Sequence, residues 1–133
     1  MAKFKFIEVG IYKRGIHVFI GNHRDFKRWV AEYFADDDEY QGLIDYVQEV
    51  DKNDALASFW YNGNTGDGII EIPKFPRTPK EIAYCAHECL HATFHMLDYV
   101  GIEYDKDDSG EAHTYLLEYL LKNLLEIDNY YNA

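Results

Sequence analysis

Two histidines and a glutamate in the segment His87-Glu88-Cys89-Leu90-His91 are the residues of this sequence best suited to do chemistry. His87 and His91 are four residues apart, so in a helix they project from one face and can share one cation. Neutral imidazole nitrogen is a natural zinc ligand. Glu88 is rotated away from both histidines, which places it beside the metal as a base for zinc-bound water. The spacing therefore predicts a zinc site in which Glu88 is catalytic.

The surroundings of these residues support a metal. Residues 82–97 contain no Lys, Arg or Asp, which predicts a helix buried around most of its circumference. A carboxylate among imidazoles in such a place is costly unless a cation compensates. The competing interpretation is a pair of core histidines that are hydrogen-bonded to the backbone or to tyrosine. We prefer the metal interpretation because the helix is uncharged on both sides of the motif.

Three groups compete to be the third zinc ligand. His95 continues the row of histidines, but it lies about 12 Å along the helix axis from His87, too far to share one ion. The acidic loop 103–108 offers aspartates, although a run of charge is usually a solvated face. We prefer Glu111, in the first turn of the last helix, because two antiparallel helices would bring it opposite the histidines. Without a metal, Glu111 is an acid favoured by the helix dipole.

The last helix carries a second candidate catalytic residue. Tyr115 follows Glu111 by four positions and shares its face, so it is suited to hold a ligand histidine or to donate to a developing oxyanion. It is equally well explained as a core residue. His113 is expected to be a surface or packing residue. Cys85 and Cys89 are four apart in one helix, a spacing that does not favour a disulfide, so we expect reduced, buried thiols.

The remaining elements are predicted from periodicity and end signals. The active-site helix begins at Thr78-Pro79-Lys80-Glu81, a capping box with Pro at the first position, and runs to about Val100. The last helix is expected over residues 110–128. Asn22 and Asp25 start an earlier helix, followed by a shorter one near Tyr40 to Val47. Strands are expected at residues 3–12, 16–20, 55–61 and 69–72, with the first two forming a hairpin. The pattern predicts an α+β fold with a small sheet of three or four strands.

Composition narrows the function classes. The chain has 133 residues, which fits one domain over residues 1–133, and its net charge is -11. An acidic surface repels phosphate, so nucleic acid and anionic membranes are disfavoured as partners. The sequence opens without the apolar run of a signal peptide, and no stretch is long enough to span a membrane. With reduced cysteines, these features predict a cytoplasmic protein.

The His-Glu-x-x-His motif and the downstream run Glu111-Ala112-x-x-Tyr115-Leu116-Leu117 resemble the gluzincin metallopeptidases, especially minimal members from phages and other mobile elements. The resemblance covers about residues 55–128. It implies a zincin-like fold, in which a small sheet packs on the active-site helix and on the glutamate helix. It also implies Zn²⁺ bound by His87, His91 and Glu111, and Glu88 as the base. In that family an extended substrate pairs with an edge strand before the helix, here residues 69–72.

Three functions follow from these features. The first is zinc-dependent hydrolysis of peptide bonds in a protein or peptide substrate. The alternative is a zinc-stabilised binding or regulatory protein of a mobile element, without turnover. This alternative arises because the sequence offers no counterpart, after the glutamate helix, of the family's further transition-state His or Tyr. The third is a metal-free structural domain.

Overall fold

The computed structural model describes residues 2–108 and 110–127 of the chain. In this part, four strands and four α-helices form an α+β fold around a small mixed sheet, as the sequence predicts. The elements are β1 (Lys3–Val9), β2 (Arg14–Ile20), α1 (His23–Tyr33), α2 (Gln41–Glu49), β3 (Ser58–Tyr61), β4 (Gly68–Ile72), α3 (Pro79–Tyr99) and α4 (Gly110–Leu125). Among the described residues, no helix is both long and apolar enough to cross a membrane.

The predicted N-terminal hairpin is confirmed. β1 and β2 pair antiparallel over their whole lengths, from Lys3 opposite Ile20 to Val9 opposite Arg14. The first strand is shorter than the predicted 3–12, because residues 10–12 form a short 3₁₀ turn. That turn ends at Lys13, which adopts the left-handed conformation with φ of 56°.

The strand order in the sheet is β1-β2-β4-β3, so β4 lies inside the sheet. β4 pairs in parallel with β2 on one side and antiparallel with β3 on the other. The prediction that residues 69–72 form an edge strand is therefore wrong. The physical sign of a central strand is its continuous apolar run, interrupted only by Glu71, since such runs are typical of strands covered on both faces. The edge on this side of the sheet is β3.

Helices cover both faces of the sheet. Val18 of β2 and Ile70 of β4 face α3 and α4, where they join a core that contains Met96 and Leu120. The alternate residues of the same strands point the other way, since side chains alternate across a strand. These residues, Phe19 and Ile69 among them, pack with α1 and α2 in a second core that is rich in aromatic rings.

The helix starts follow the predicted end signals. The Asn22 side chain accepts a hydrogen bond from the Asp25 backbone N–H at the start of α1. At the start of α3, Thr78 and Glu81 form the complete capping box, with Pro79 in the first turn. The last helix begins at Gly110 as predicted. Its predicted end at residue 128 lies outside the described residues.

A histidine of β2 is buried within the aromatic core. The His17 imidazole on β2 is 8% exposed and lies against the rings of Phe6 and Phe34, at centroid distances of 4.5 and 5.0 Å. Burial lowers the pKa of His17 to about 4, although the nearby Asp67 carboxylate acts in the opposite direction. The folded protein therefore holds this imidazole neutral under conditions in which the unfolded chain begins to protonate it.

We predict that His17 makes the fold acid-sensitive. Because its pKa is lower in the folded than in the unfolded chain, the unfolded state takes up the proton first as the pH falls from about 6.5 to 4. The free energy of unfolding should fall by about 3 kcal/mol over that window on account of this group, since each pKa unit corresponds to about 1.4 kcal/mol. Urea titrations of the wild type and His17→Phe at several pH values measure the effect. An equally steep pH dependence in His17→Phe would contradict it.

Candidate metal and catalytic site

The candidate site lies on α3, whose two sides differ sharply. The buried side packs on the sheet and on α4, and consists of Cys85, Glu88, Cys89, Ala92, Thr93, Met96 and Leu97. The other side is exposed and carries Tyr84, His87, Leu90, His91, Phe94 and His95. The prediction of a helix buried around most of its circumference is therefore wrong. Its uncharged residues include a solvent-facing stripe of aromatic and imidazole rings.

The two predicted zinc-ligand histidines converge on this exposed side. The Nε2 atoms of His87 and His91 are 3.1 Å apart, and the ring planes are inclined by 78°. A tetrahedral zinc ion about 2.0–2.1 Å from each nitrogen would hold two imidazole nitrogens about 3.3 Å apart. The interpretation of these residues as core histidines does not fit, because both side chains are exposed. The two nitrogens lie within hydrogen-bonding distance of each other, and their spacing is also close to that of two ligands of one zinc ion.

Glu88 lies at the boundary between the buried and exposed sides of α3. Its side chain is largely buried, yet its Oε1 atom is 3.9 Å from Nε2 of His87. Burial raises the pKa of Glu88, while His87, His91 and Lys52 act to lower it. A small cavity of about 220 Å³, lined by Leu56, Ala57, Tyr84, His87 and Glu88, opens beside the carboxylate. Glu88 is therefore a buried carboxyl group with a raised pKa, next to the imidazole pair and at a cavity wall.

The structure does not bring the predicted third ligand to the pair. Glu111 lies in the first turn of α4, as expected, but its side chain is exposed. Within residues 2–108 and 110–127, no group of three or more His, Cys, Asp or Glu side chains is placed to hold a metal ion. The His87 and His91 imidazoles are suited to bind zinc. The role of Glu111 as third ligand stays a prediction.

The other candidate residues have clear places. His95 packs against the rings of Phe59 and Tyr61 of β3, with centroid distances of 5.4 and 4.6 Å, as expected for a packing histidine. His113 is buried and contacts the rings of Phe94 and Tyr104.

Tyr115 is 66% exposed and lies in a depression beside the β1–β2 turn, formed with Val9 to Tyr12 of that turn and with Tyr119. This depression shares no residue with the cavity at Glu88. The predicted catalytic role of Tyr115 stays a prediction.

Cys85 and Cys89 are buried free thiols, as predicted. Burial raises the pKa of each thiol to about 12, so both are held as neutral thiols. Zinc binds cysteine as the thiolate, which these surroundings disfavour. The structure gives them a packing role on the buried side of α3.

A buried polar cluster next to the site was missed by the sequence reasoning. Glu71 on β4 is 1% exposed and accepts hydrogen bonds from His23 Nδ1 at 2.8 Å and from Trp60 Nε1 at 3.1 Å. The Lys52 ammonium lies 3.8 Å from the same carboxylate. The one sequence signal is the single acid in the apolar run of β4.

This cluster connects β4 to the wall of the cavity. Lys52 also donates hydrogen bonds to the backbone carbonyls of Asn53 and Leu56, and His23 Nε2 lies 3.1 Å from the Val50 carbonyl. The segment 50–57 is therefore tied to Glu71 at both ends. Since Leu56 and Ala57 line the cavity beside Glu88, Glu71 indirectly fixes one wall of the site.

Comparison with known proteins gives no match: no protein-family model, curated protein or solved structure matches this chain. The assignment of a function rests on the geometry of the described residues.

We predict that Glu71→Ala destabilises the fold by about 3 kcal/mol, because removing one partner of a buried ionic cluster leaves the other groups desolvated and unpaired. Urea unfolding monitored by Trp fluorescence measures the change. The exposed Glu49, at the end of α2, provides the control Glu49→Ala, which should change the free energy of unfolding by less than about 0.5 kcal/mol. Equal effects of the two substitutions would contradict the structural role of Glu71.

Proposed function

We propose that this chain is a zinc-dependent peptidase with a zincin-like arrangement of sheet and active-site helix. The observation that carries the proposal is the 3.1 Å approach of the His87 and His91 Nε2 atoms, beside the buried Glu88 carboxylate. His87 and His91 would hold the ion, with Glu111 as the predicted third ligand. When bound, zinc supplies an acidified water molecule and polarises the scissile carbonyl.

The chain's own residues supply the proton transfers. Burial raises the pKa of Glu88, which suits a carboxylate that must take a proton from water and later give it to the leaving amine. Its position at the cavity wall leaves room for a substrate on one side, while the buried side of α3 excludes water on the other. His87 and Glu88 line one cavity, and His91 is paired with His87, so two ligands and the base lie together; a third protein ligand, predicted to be Glu111, would complete the set that such a hydrolysis requires.

The edge strand β3 is suited to bind an extended substrate. Leu56 and Ala57 lie at the cavity beside His87 and Glu88, and Phe59 and Tyr61 reach His95, so this segment follows α3 past the imidazole pair. Among residues 2–108 and 110–127, β3 pairs with β4 alone, and no backbone hydrogen bond outside that pairing engages residues 58–61. An added peptide strand would satisfy these outer groups. We therefore propose that an extended substrate pairs with β3, and not with residues 69–72 as first expected.

We further propose a reducing, cytoplasmic setting, because the two cysteines are unlinked and neutral. The net charge of -11 favours protein substrates that are neutral or basic over nucleic acid.

We predict that Glu88→Gln abolishes peptide cleavage and retains zinc. Removing a general base typically lowers the rate about 10²–10⁴-fold, whereas the imidazole ligands are untouched. The measurement is cleavage of a random peptide library by zinc-loaded protein, followed by mass spectrometry, together with the metal content of each variant. Glu49→Gln, a substitution at an exposed acid far from α3, should cleave like the wild type.

Two outcomes would contradict the proposal. Cleavage by Glu88→Gln at the wild-type rate would exclude Glu88 as the base. Zinc binding by a wild type that cleaves no peptide would instead favour the alternative, a zinc-stabilised binding protein without turnover.

A further inference from the structure

A second cavity adjoins the candidate site at the N-terminal end of α3. It has a volume of about 440 Å³, within the range of about 300–1,000 Å³ typical of ligand pockets. Its walls come from the segment before β3, from the end of β4 and the proline-rich connection that follows, and from the first turns of α3. The apolar part of the lining includes Ala55, Ala57, Ile72, Pro73, Pro76 and Tyr84, next to the Cys85 thiol.

This cavity adjoins the one at Glu88. Ala57 and Tyr84 line both, so the Tyr84 side chain stands between the two spaces. Tyr84 is 40% exposed, and its ring lies 5.8 Å from the Lys80 ammonium. A chain that follows the outer side of β3 past the imidazole pair would therefore present one side chain to this second cavity.

The charges around the cavity favour an apolar occupant. The Lys74 ammonium is 2.7 Å from the Glu81 carboxylate, so these two charges neutralise each other. Glu81 also accepts hydrogen bonds from the backbone N–H groups of Arg77 and Thr78. Lys80 lies over an aromatic ring. A basic substrate side chain would lose water without gaining a free acceptor, and an acidic one would find only Lys80, so the largely apolar lining favours an apolar occupant.

We propose that this cavity is a specificity pocket for a large apolar side chain of an extended peptide whose backbone pairs with β3. The inference rests on the proposed peptidase function and names its substrate class: segments with Leu, Ile, Met, Phe or Tyr at one fixed position from the scissile bond. Binding in the pocket aligns the peptide along β3 and sets which bond lies at the imidazole pair.

The test uses substitutions that fill the pocket without touching the imidazole cavity. Ala55 is exposed and lines only the larger cavity, so Ala55→Phe should occupy it without disturbing the core. Ala83→Phe is the matched control, because Ala83 is an exposed alanine on α3 outside both linings. Each variant is loaded with zinc and incubated with a random peptide library, and the cleaved peptides are identified. The same substitutions in the Glu88→Gln background are immobilised to capture peptides from that library.

We expect cleaved or captured peptides to be enriched in large apolar residues at one position by at least about tenfold, the lower end of what hydrophobic pockets discriminate. Ala55→Phe should abolish this enrichment, and Ala83→Phe should keep it. Cleavage without an apolar preference, or a preference unchanged by Ala55→Phe, would overturn the pocket and leave the peptidase proposal standing. Capture of apolar peptides without cleavage would support the pocket and overturn the peptidase. Neither capture nor cleavage would overturn both.

Discussion

The packing of α3 on the sheet decides where each candidate catalytic group points. Cys85, Cys89, Ala92 and Met96 recur at helical spacing and bury one side of the helix against β2, β4 and α4. Because the helix can rotate very little without exposing these side chains, the histidine pair is fixed on the opposite, solvent-facing side. The apolar core thus determines the orientation of the histidine pair, although the core residues supply neither ligands nor proton-transfer groups.

Glu88 lies where the two sides of α3 meet, and its placement has an electrostatic cost. Burial raises its pKa, and the neighbouring imidazoles and Lys52 offset only part of that effect. A cation held by the imidazoles would favour the ionised carboxylate, since opposite charge nearby stabilises the charged form. Glu71 is a second buried carboxylate, and it lies on the face of the sheet that α1 and α2 cover. His23, Trp60 and Lys52 already provide hydrogen-bond and ion-pair partners for the Glu71 carboxylate. We therefore assign Glu71 a structural role in holding the segment 50–57 rather than a role in catalysis.

Local signals made much of this structure predictable. The capping box at Thr78, the Asn22 cap and the N-terminal hairpin depend on residues close in sequence, and each occurs where expected. Helical periodicity alone predicts that His87 and His91 project from the same side of α3. These features needed no knowledge of how the elements pack.

Features that depend on packing could not be predicted in this way. The apolar run of β4 indicates burial on both faces, but the local sequence does not show which strands pair with β4, that β3 is the edge, or that the uncharged side of α3 faces solvent. The Glu71 cluster joins residues up to 48 positions apart, so it is visible only in three dimensions. Whether Glu111 could reach the histidines depends on how α3 and α4 cross, which the spacing along the chain does not determine.

The central claim is that one zinc ion is bound through imidazole on the exposed side of α3. Zinc K-edge X-ray absorption of the purified protein tests it most directly, because nitrogen and oxygen ligands lie at about 2.0–2.1 Å and thiolates at about 2.3 Å. We expect one zinc per chain with two imidazole ligands and no sulfur; the zinc should be lost in His91→Ala and kept in His95→Ala. Absence of bound zinc, or a sulfur shell from Cys85 and Cys89, would contradict it.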